Sequence, residues 1–130
     1  MATALEIVRR AGAPNGGINV DAWHFVRTGT GTDGLRRVPG HLILGIQLCD
    51  GPRAPEDNLV DATLHHRLLP GEGEFDLTGI VEALSATGTT APVGVEVFSD
   101  TLHELPADEA ARRAAHATRG VLEAAGRPGP

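Results

Sequence analysis

Asp21, Gln47 and Glu96 are the residues whose types and placement invite chemistry. Asp21 closes the short apolar run Ile18-Asn19-Val20-Asp21. Gln47 lies inside the run from Ile43 to Cys49, and Glu96 stands between valines in the run from Val93 to Phe98. A carboxylate on an apolar strand is costly unless it is paired, so Glu96 in particular needs a partner or a task. Asp21, Gln47 and Glu96 all lie towards the C-terminal ends of their runs, where three polar groups can converge. The plainer account of each is a polar side chain satisfied near a strand end.

The elements that must position these residues follow from periodicity and punctuation. The spacing of Leu5 and Val8, closed by Gly12, predicts a helix over 2–11. Pro14-Asn15-Gly16-Gly17 is a turn, and Ile18 to Asp21 is short and apolar enough for a buried strand. A short helix is predicted around Asp33 to Arg37, and a buried strand over Ile43 to Cys49. Asp50 to Glu74 reads as a long irregular stretch with a helical turn at Glu56 to Leu64; loops of that length are uncommon unless functional or disordered. Asp76 reads as an N-cap for a helix carrying Leu77, Ile80, Val81 and Leu84 and ending by Gly88. Val93 to Phe98 is predicted as a third strand. Pro106 to Ala125 is predicted as a last helix with acids in its first turn, followed by a tail at 127–130.

Alternating strands and helices imply parallel strands with helices packed on them. Side chains alternate along a strand. Leu44, Ile46 and Leu48 are expected on one face, with Gly45, Gln47 and Cys49 on the other. Val93, Val95 and Val97 likewise oppose Gly94, Glu96 and Phe98, and Ile18 and Val20 oppose Asn19 and Asp21. A doubly wound sheet wants both faces apolar. A barrel wants an apolar outer face against helices and can carry small residues inside, with reactive groups at the C-terminal mouth. The expected fold is therefore α/β: a partial (β/α) barrel of about three βα units, with parallel strands and a leading helix, in a single domain over 1–130.

Composition narrows the function. The chain has 130 residues, 41% of them hydrophobic, which suits a folded domain with a real core. The formal charge of −6 argues against a nucleic-acid partner, whose phosphates require a basic face. One cysteine, Cys49, excludes an internal disulfide and a Cys-rich zinc site. No signal peptide and no membrane-spanning run is visible, so a soluble cytoplasmic protein is expected.

Four motifs together carry a resemblance. Val20-Asp21-Ala22-Trp23-His24, Ile46-Gln47-Leu48-Cys49-Asp50, Arg67-Leu68-Leu69-Pro70-Gly71-Glu72-Gly73-Glu74-Phe75-Asp76 and Val95-Glu96-Val97-Phe98 resemble, in order and spacing, the sugar phosphate isomerase/epimerase family with its xylose isomerase-like TIM barrel. The resemblance runs from about Leu5 to Leu122 and implies the C-terminal part of an eight-stranded barrel. It implies a divalent metal held by a Glu, an Asp, a His and a second Glu from the last four strands. By position Asp21 matches the Asp ligand and Glu96 the second Glu, which in epimerases also moves a proton. His24 matches a His that reaches substrate, and Arg67 matches a loop Arg that touches substrate hydroxyl or phosphate groups.

Two departures stand out. Gln47 occupies the position of the His ligand. Its amide oxygen is a neutral, hard donor that favours Mg or Mn over Zn. The first Glu ligand belongs on a fifth strand, which this sequence does not contain.

The function implied is metal-dependent isomerisation or epimerisation of a small sugar or sugar phosphate, by proton transfer beside a carbonyl. Exposed strand edges imply self-association or a separately encoded N-terminal half. A sugar-acid dehydratase or lyase on the same barrel is the nearest alternative reaction. A non-catalytic α/β association module or barrel remnant is the alternative of another class. Asp50 is expected to cap its loop. His41, His65, His66, His103 and His116 lack ligand spacing, and Cys49 is expected to pack.

Overall fold

A computed structural model describes residues 1–127. The tail expected at 127–130 lies outside the described residues apart from Arg127. The chain forms α1 (Ala2–Ala11), β1 (Ile18–Asp21), α2 (Ala22–Arg27), α3 (Asp33–Arg36), β2 (Ile43–Leu48), α4 (Leu59–His65), α5 (Leu77–Ser85), β3 (Val93–Val95), α6 (Asp100–His103) and α7 (Ala107–Ala124). The strands form one parallel sheet in the order β1-β2-β3. Among the described residues the sheet is open, with β1 and β3 at its edges.

Local chemistry explains most boundaries. α1 ends where Gly12 takes a left-handed conformation, φ 60°, and its N–H returns to the Val8 carbonyl. The Asp76 carboxylate accepts the Gly79 N–H and starts α5. α2 begins directly from β1 because Asp21, still extended, accepts the His24 N–H. No turn residue separates strand from helix there, so the sequence pattern shows no helix over 22–27.

One face of the sheet is covered by helices. Val20, Ile46 and Leu48 pack there with Trp23, Leu35, Val81 and Leu84, all at most 3% exposed. The opposite face carries Asn19, Gly45, Gln47, Gly94 and Glu96, and each of these is exposed or half-buried. This is the two-faced arrangement of a barrel wall.

Two expectations are corrected. Leu44 does not share the covered face with Ile46 and Leu48; it is 52% exposed. The β1–β2 register slips between Ile18 and Asn19, which pair with Ile43 and Gly45, so Leu44 drops out of the alternation. The third strand stops at Val95 rather than Phe98. Glu96 still donates its N–H to the Leu48 carbonyl, at 3.1 Å, but the Phe98 carbonyl then accepts from Arg67 and Ser99 bridges His66. The chain exchanges β2 for the 66–67 segment as its partner.

The long stretch between β2 and α5 is ordered around Asp50, which is 1% exposed. Its carboxylate accepts the N–H groups of Gly51, Gly71 and Phe75, and its backbone pairs with Leu68. Gly73 packs so closely beneath it that a Cβ would meet the carboxylate and the Gly51 backbone. Asp50→Asn retains one acceptor and introduces a buried donor. It is expected to lower stability by about 1–3 kcal/mol, read from the urea midpoint at unchanged slope. An unaltered midpoint would show that the carboxylate does not hold the loop.

Candidate functional site

The three polar residues singled out from the sequence meet on the open face. In register, Asp21 pairs with Gln47 and Gln47 with Gly94, which sets Asp21, Gln47 and Glu96 side by side at the C-terminal ends of their strands. Gln47 Nε2 donates to Glu96 Oε1 at 2.9 Å. Asp21 and Glu96 are then joined through a fourth residue. Arg67 NH1 donates to Asp21 Oδ2 at 3.2 Å and to Glu96 Oε2 at 3.3 Å.

Arg67 is buried, at 2% exposed, although it stands in a loop. Its Nε donates to the Thr63 carbonyl. Its guanidinium lies 5.4 Å from the Trp23 ring centroid and 4.9 Å from that of Phe98. A guanidinium is delocalised and stacks on aromatic faces, so burial between rings and two carboxylates suits it better than an ammonium. The side chain is therefore embedded beneath the mouth rather than solvated. The Arg27 guanidinium likewise lies over the Trp23 and Phe75 rings, at 4.4 and 5.1 Å from their centroids, and pairs with Glu56 at 3.0 Å. That stack supports the wall behind the site.

His24 is exposed and lines a cleft of about 330 Å³ together with Asn19, Asp21, Gln47 and Glu96. Met1, which precedes α1, and Ala4 in its first turn also line the cleft. Asp21 thus carries two duties: one oxygen caps the helix that presents His24 and the other pairs Arg67. Cys49 lies beneath the mouth, 1% exposed, and its thiol is pushed up to about 12, by burial first and by the Asp21 carboxylate second. It is a packing residue, as expected, and stays a neutral thiol.

Asn19 is the member of this face that sequence reasoning left without a role. Its Nδ2 donates to Gln47 Oε1. The available signal is its place on the Asp21 face, two residues before Asp21.

The donors present could supply a divalent cation with two carboxylates and the Gln47 amide oxygen. Among the described residues no three His, Cys, Asp or Glu side chains cluster to hold a metal. In the arrangement seen, Arg67 occupies one oxygen of each carboxylate and Gln47 turns its nitrogen, not its oxygen, toward Glu96. The set is all oxygen and fits a hard cation once the amide turns.

Outside the mouth, His65 and Asp100 tie α4 to α6 through an Nδ1···Oδ1 bond of 3.0 Å, and His66 pairs Asp61 at 2.9 Å. The hydrogen bond to Asp100 raises the pKa of His65, and the same bond lowers that of Asp100. The link is complete below the ordinary imidazole pKa and is lost as pH rises through the raised one. On the acid side it is lost as pH falls through the depressed carboxylate pKa. Asp100→Asn is expected to move the His65 midpoint down toward the ordinary imidazole value, measured by proton NMR of the ring. An unmoved midpoint would contradict the pairing.

The chain is similar to known proteins of one family. The model of the xylose isomerase-like TIM barrel family matches residues 1–121. The 3-dehydroshikimate dehydratase of Pseudomonas aeruginosa is 33% identical over 79% of this chain, which covers 16% of that protein. The inosose isomerase of Bacillus subtilis is 31% identical over 92% of this chain, which covers 42% of that protein. The crystal structure of the IOLI protein with a binding zinc atom superimposes with a TM-score of 0.84 at 28% identity, covering 95% of this chain and 43% of that one. The chain thus spans less than half the length of each of these relatives. No described helix is long and apolar enough to cross a membrane.

Proposed function

The chain belongs to the xylose isomerase-like TIM barrel family, and from that premise we propose that it supplies part of a metal-assisted site that moves a proton beside the carbonyl of a small polyhydroxylated substrate. The observation that carries this reading is the convergence of Asp21, Gln47 and Glu96 at one end of the sheet, with His24 on the same cleft.

Glu96 is the proton carrier. Its carboxylate is a third exposed, while that of Asp21 is nearly closed off, so Glu96 is the one open to a substrate carbon. Arg67 donates to its Oε2, and in the cation-free arrangement Gln47 donates to its Oε1, which orients the carboxylate toward the cleft. His24 faces a substrate hydroxyl and can move a proton between oxygens. Asp21 holds His24 through the helix cap and, with Gln47 and Glu96, offers oxygens to a cation. A bound divalent cation would polarise the carbonyl and hold the charge that develops on its oxygen. The oxygen donor set favours Mn or Mg over Zn. Arg67 acts from beneath, as the partner of both carboxylates, rather than through direct contact with substrate.

The first proton transfer is common to isomerases and dehydratases. Return of the proton to the neighbouring carbon completes an isomerisation. Loss of a hydroxyl from the carbon beyond, protonated as it leaves, completes a dehydration, and His24 is placed to give that proton. The dehydratase reading is favoured by the 33% identity to the Pseudomonas enzyme, and the isomerase reading by the longer 92% match to the Bacillus one. The names of both relatives point to six-membered carbocycles bearing a ketone and hydroxyls, so that is the substrate class proposed. The open edges of β1 and β3 leave room for further strands, from this polypeptide or another, to complete the mouth.

Calorimetry with Mn²⁺ and deuterium wash-in beside the carbonyl, followed by NMR, test the reading. Asp21→Asn and Glu96→Gln are expected each to weaken Mn²⁺ binding by about tenfold or more, and Glu96→Gln to stop wash-in. A chain that neither binds Mn²⁺ nor exchanges any cyclic hydroxyketone would favour a non-catalytic association module instead.

A further inference from the structure

Asn19 is exposed, yet its side chain is hydrogen-bonded into the polar face at the mouth. It pairs with Gly45 across the β1–β2 ladder, and its side chain crosses diagonally to Gln47. Its Oδ1 lies over Gly45, where a Cβ would come within 2.5 Å of it, so glycine is required for Asn19 to reach Gln47. The glycine of β3, Gly94, which pairs with Gln47, has no such neighbour: a Cβ there would meet only the Ile46 carbonyl, at 3.9 Å. Gln47 passes the connection on to Glu96 through Nε2.

We propose that Asn19 is a positioning residue that sets which end of the Gln47 amide faces Glu96, and so whether the mouth favours a bare carboxylate or a divalent cation. A primary amide has one donor end and one acceptor end. While Asn19 donates to Gln47 Oε1, Nε2 must face Glu96 and donate to its carboxylate. A cation beside Glu96 needs Oε1 on that side, which turns Nε2 toward Asn19. Asn19 can answer by accepting through its own Oδ1. Only a side chain with both a donor and an acceptor at this reach supports both states. Aspartate supports only the oxygen-forward state, and leucine supports neither. The inference rests on the proposed cation site for its second state and on the observed hydrogen bonds for its first.

The test uses the purified chain and three variants, Asn19→Leu, Asn19→Asp and Gly45→Ala, each also in a Gln47→Leu background. In the metal-free chain, Asn19→Leu and Gly45→Ala are expected to shift the Gln47 side-chain amide resonances in nitrogen-edited NMR while the thermal midpoint stays in place. Mn²⁺ affinity by calorimetry is expected to fall about tenfold in both, as for other residues that orient a ligand, and to be kept or raised in Asn19→Asp. The differences are expected to vanish in the Gln47→Leu background. Unmoved Gln47 resonances overturn the proposal. So does an affinity loss that is absent, or that is equally large without Gln47. If the wild-type chain binds no Mn²⁺, the cation reading fails, and the resonances alone decide: shifted they support the positioning role, unmoved they overturn it.

Discussion

The Arg67 guanidinium, shut between the Trp23 and Phe98 rings, faces Asp21 at the end of β1 and Glu96 just past the end of β3. β1 and β3 are not neighbours; β2 lies between them. Arg67 is thus a tie across the top of the sheet, drawing Asp21 and Glu96 toward one point. Two carboxylates brought together without a cation would repel, and the partly covered mouth makes that repulsion larger than it would be in water. The whole polar end depends on this positive charge being held in place.

The surrounding structure does the holding. Asp50 gathers the N–H groups of Gly51, Gly71 and Phe75 and so fixes the loop that follows Arg67. The Arg67 backbone N–H reaches the Phe98 carbonyl, which pulls the chain after Glu96 away from β2 and ends β3. Trp23, which forms one wall of the guanidinium pocket, donates its indole N–H to Thr63, and the Thr63 carbonyl accepts from Arg67 Nε. Strand end, helix α4 and loop therefore share one hydrogen-bonded frame. The reactive groups sit on this frame, and the more exposed residues, His24 and Asn19, face the cleft.

Much of this was legible in the sequence where the signal is local. Gly12 and Asp76 mark real helix ends because a left-handed glycine and a capping carboxylate act within one turn. The alternation of Gly45-Ile46-Gln47-Leu48 shows which side of β2 is polar. Features set by distant partners were not legible. The early end of β3 comes from the 66–67 segment, about thirty residues away, and the exposure of Leu44 comes from a slip in pairing with β1. The helix over 22–27 was hidden because Asp21 is strand end and cap at once. Arg67 reads as a loop charge until Trp23 and Phe98 are seen to enclose it. Asn19 reads as an ordinary polar alternation until Gly45 is seen to clear its path. The site residues taken from the family resemblance do stand together, but what joins them is a buried cation that spacing alone does not reveal.

The central claim is that one guanidinium neutralises two carboxylates at the mouth. It is tested most directly by urea unfolding of Arg67→Met beside the triple variant Arg67→Met, Asp21→Asn, Glu96→Gln. Removing only the cation should cost about 3–5 kcal/mol, because it strands paired charges in a covered site, and removing the carboxylate charges as well should recover most of that loss. A nearly neutral Arg67→Met, or a triple variant whose loss is the sum of its parts, would contradict the account.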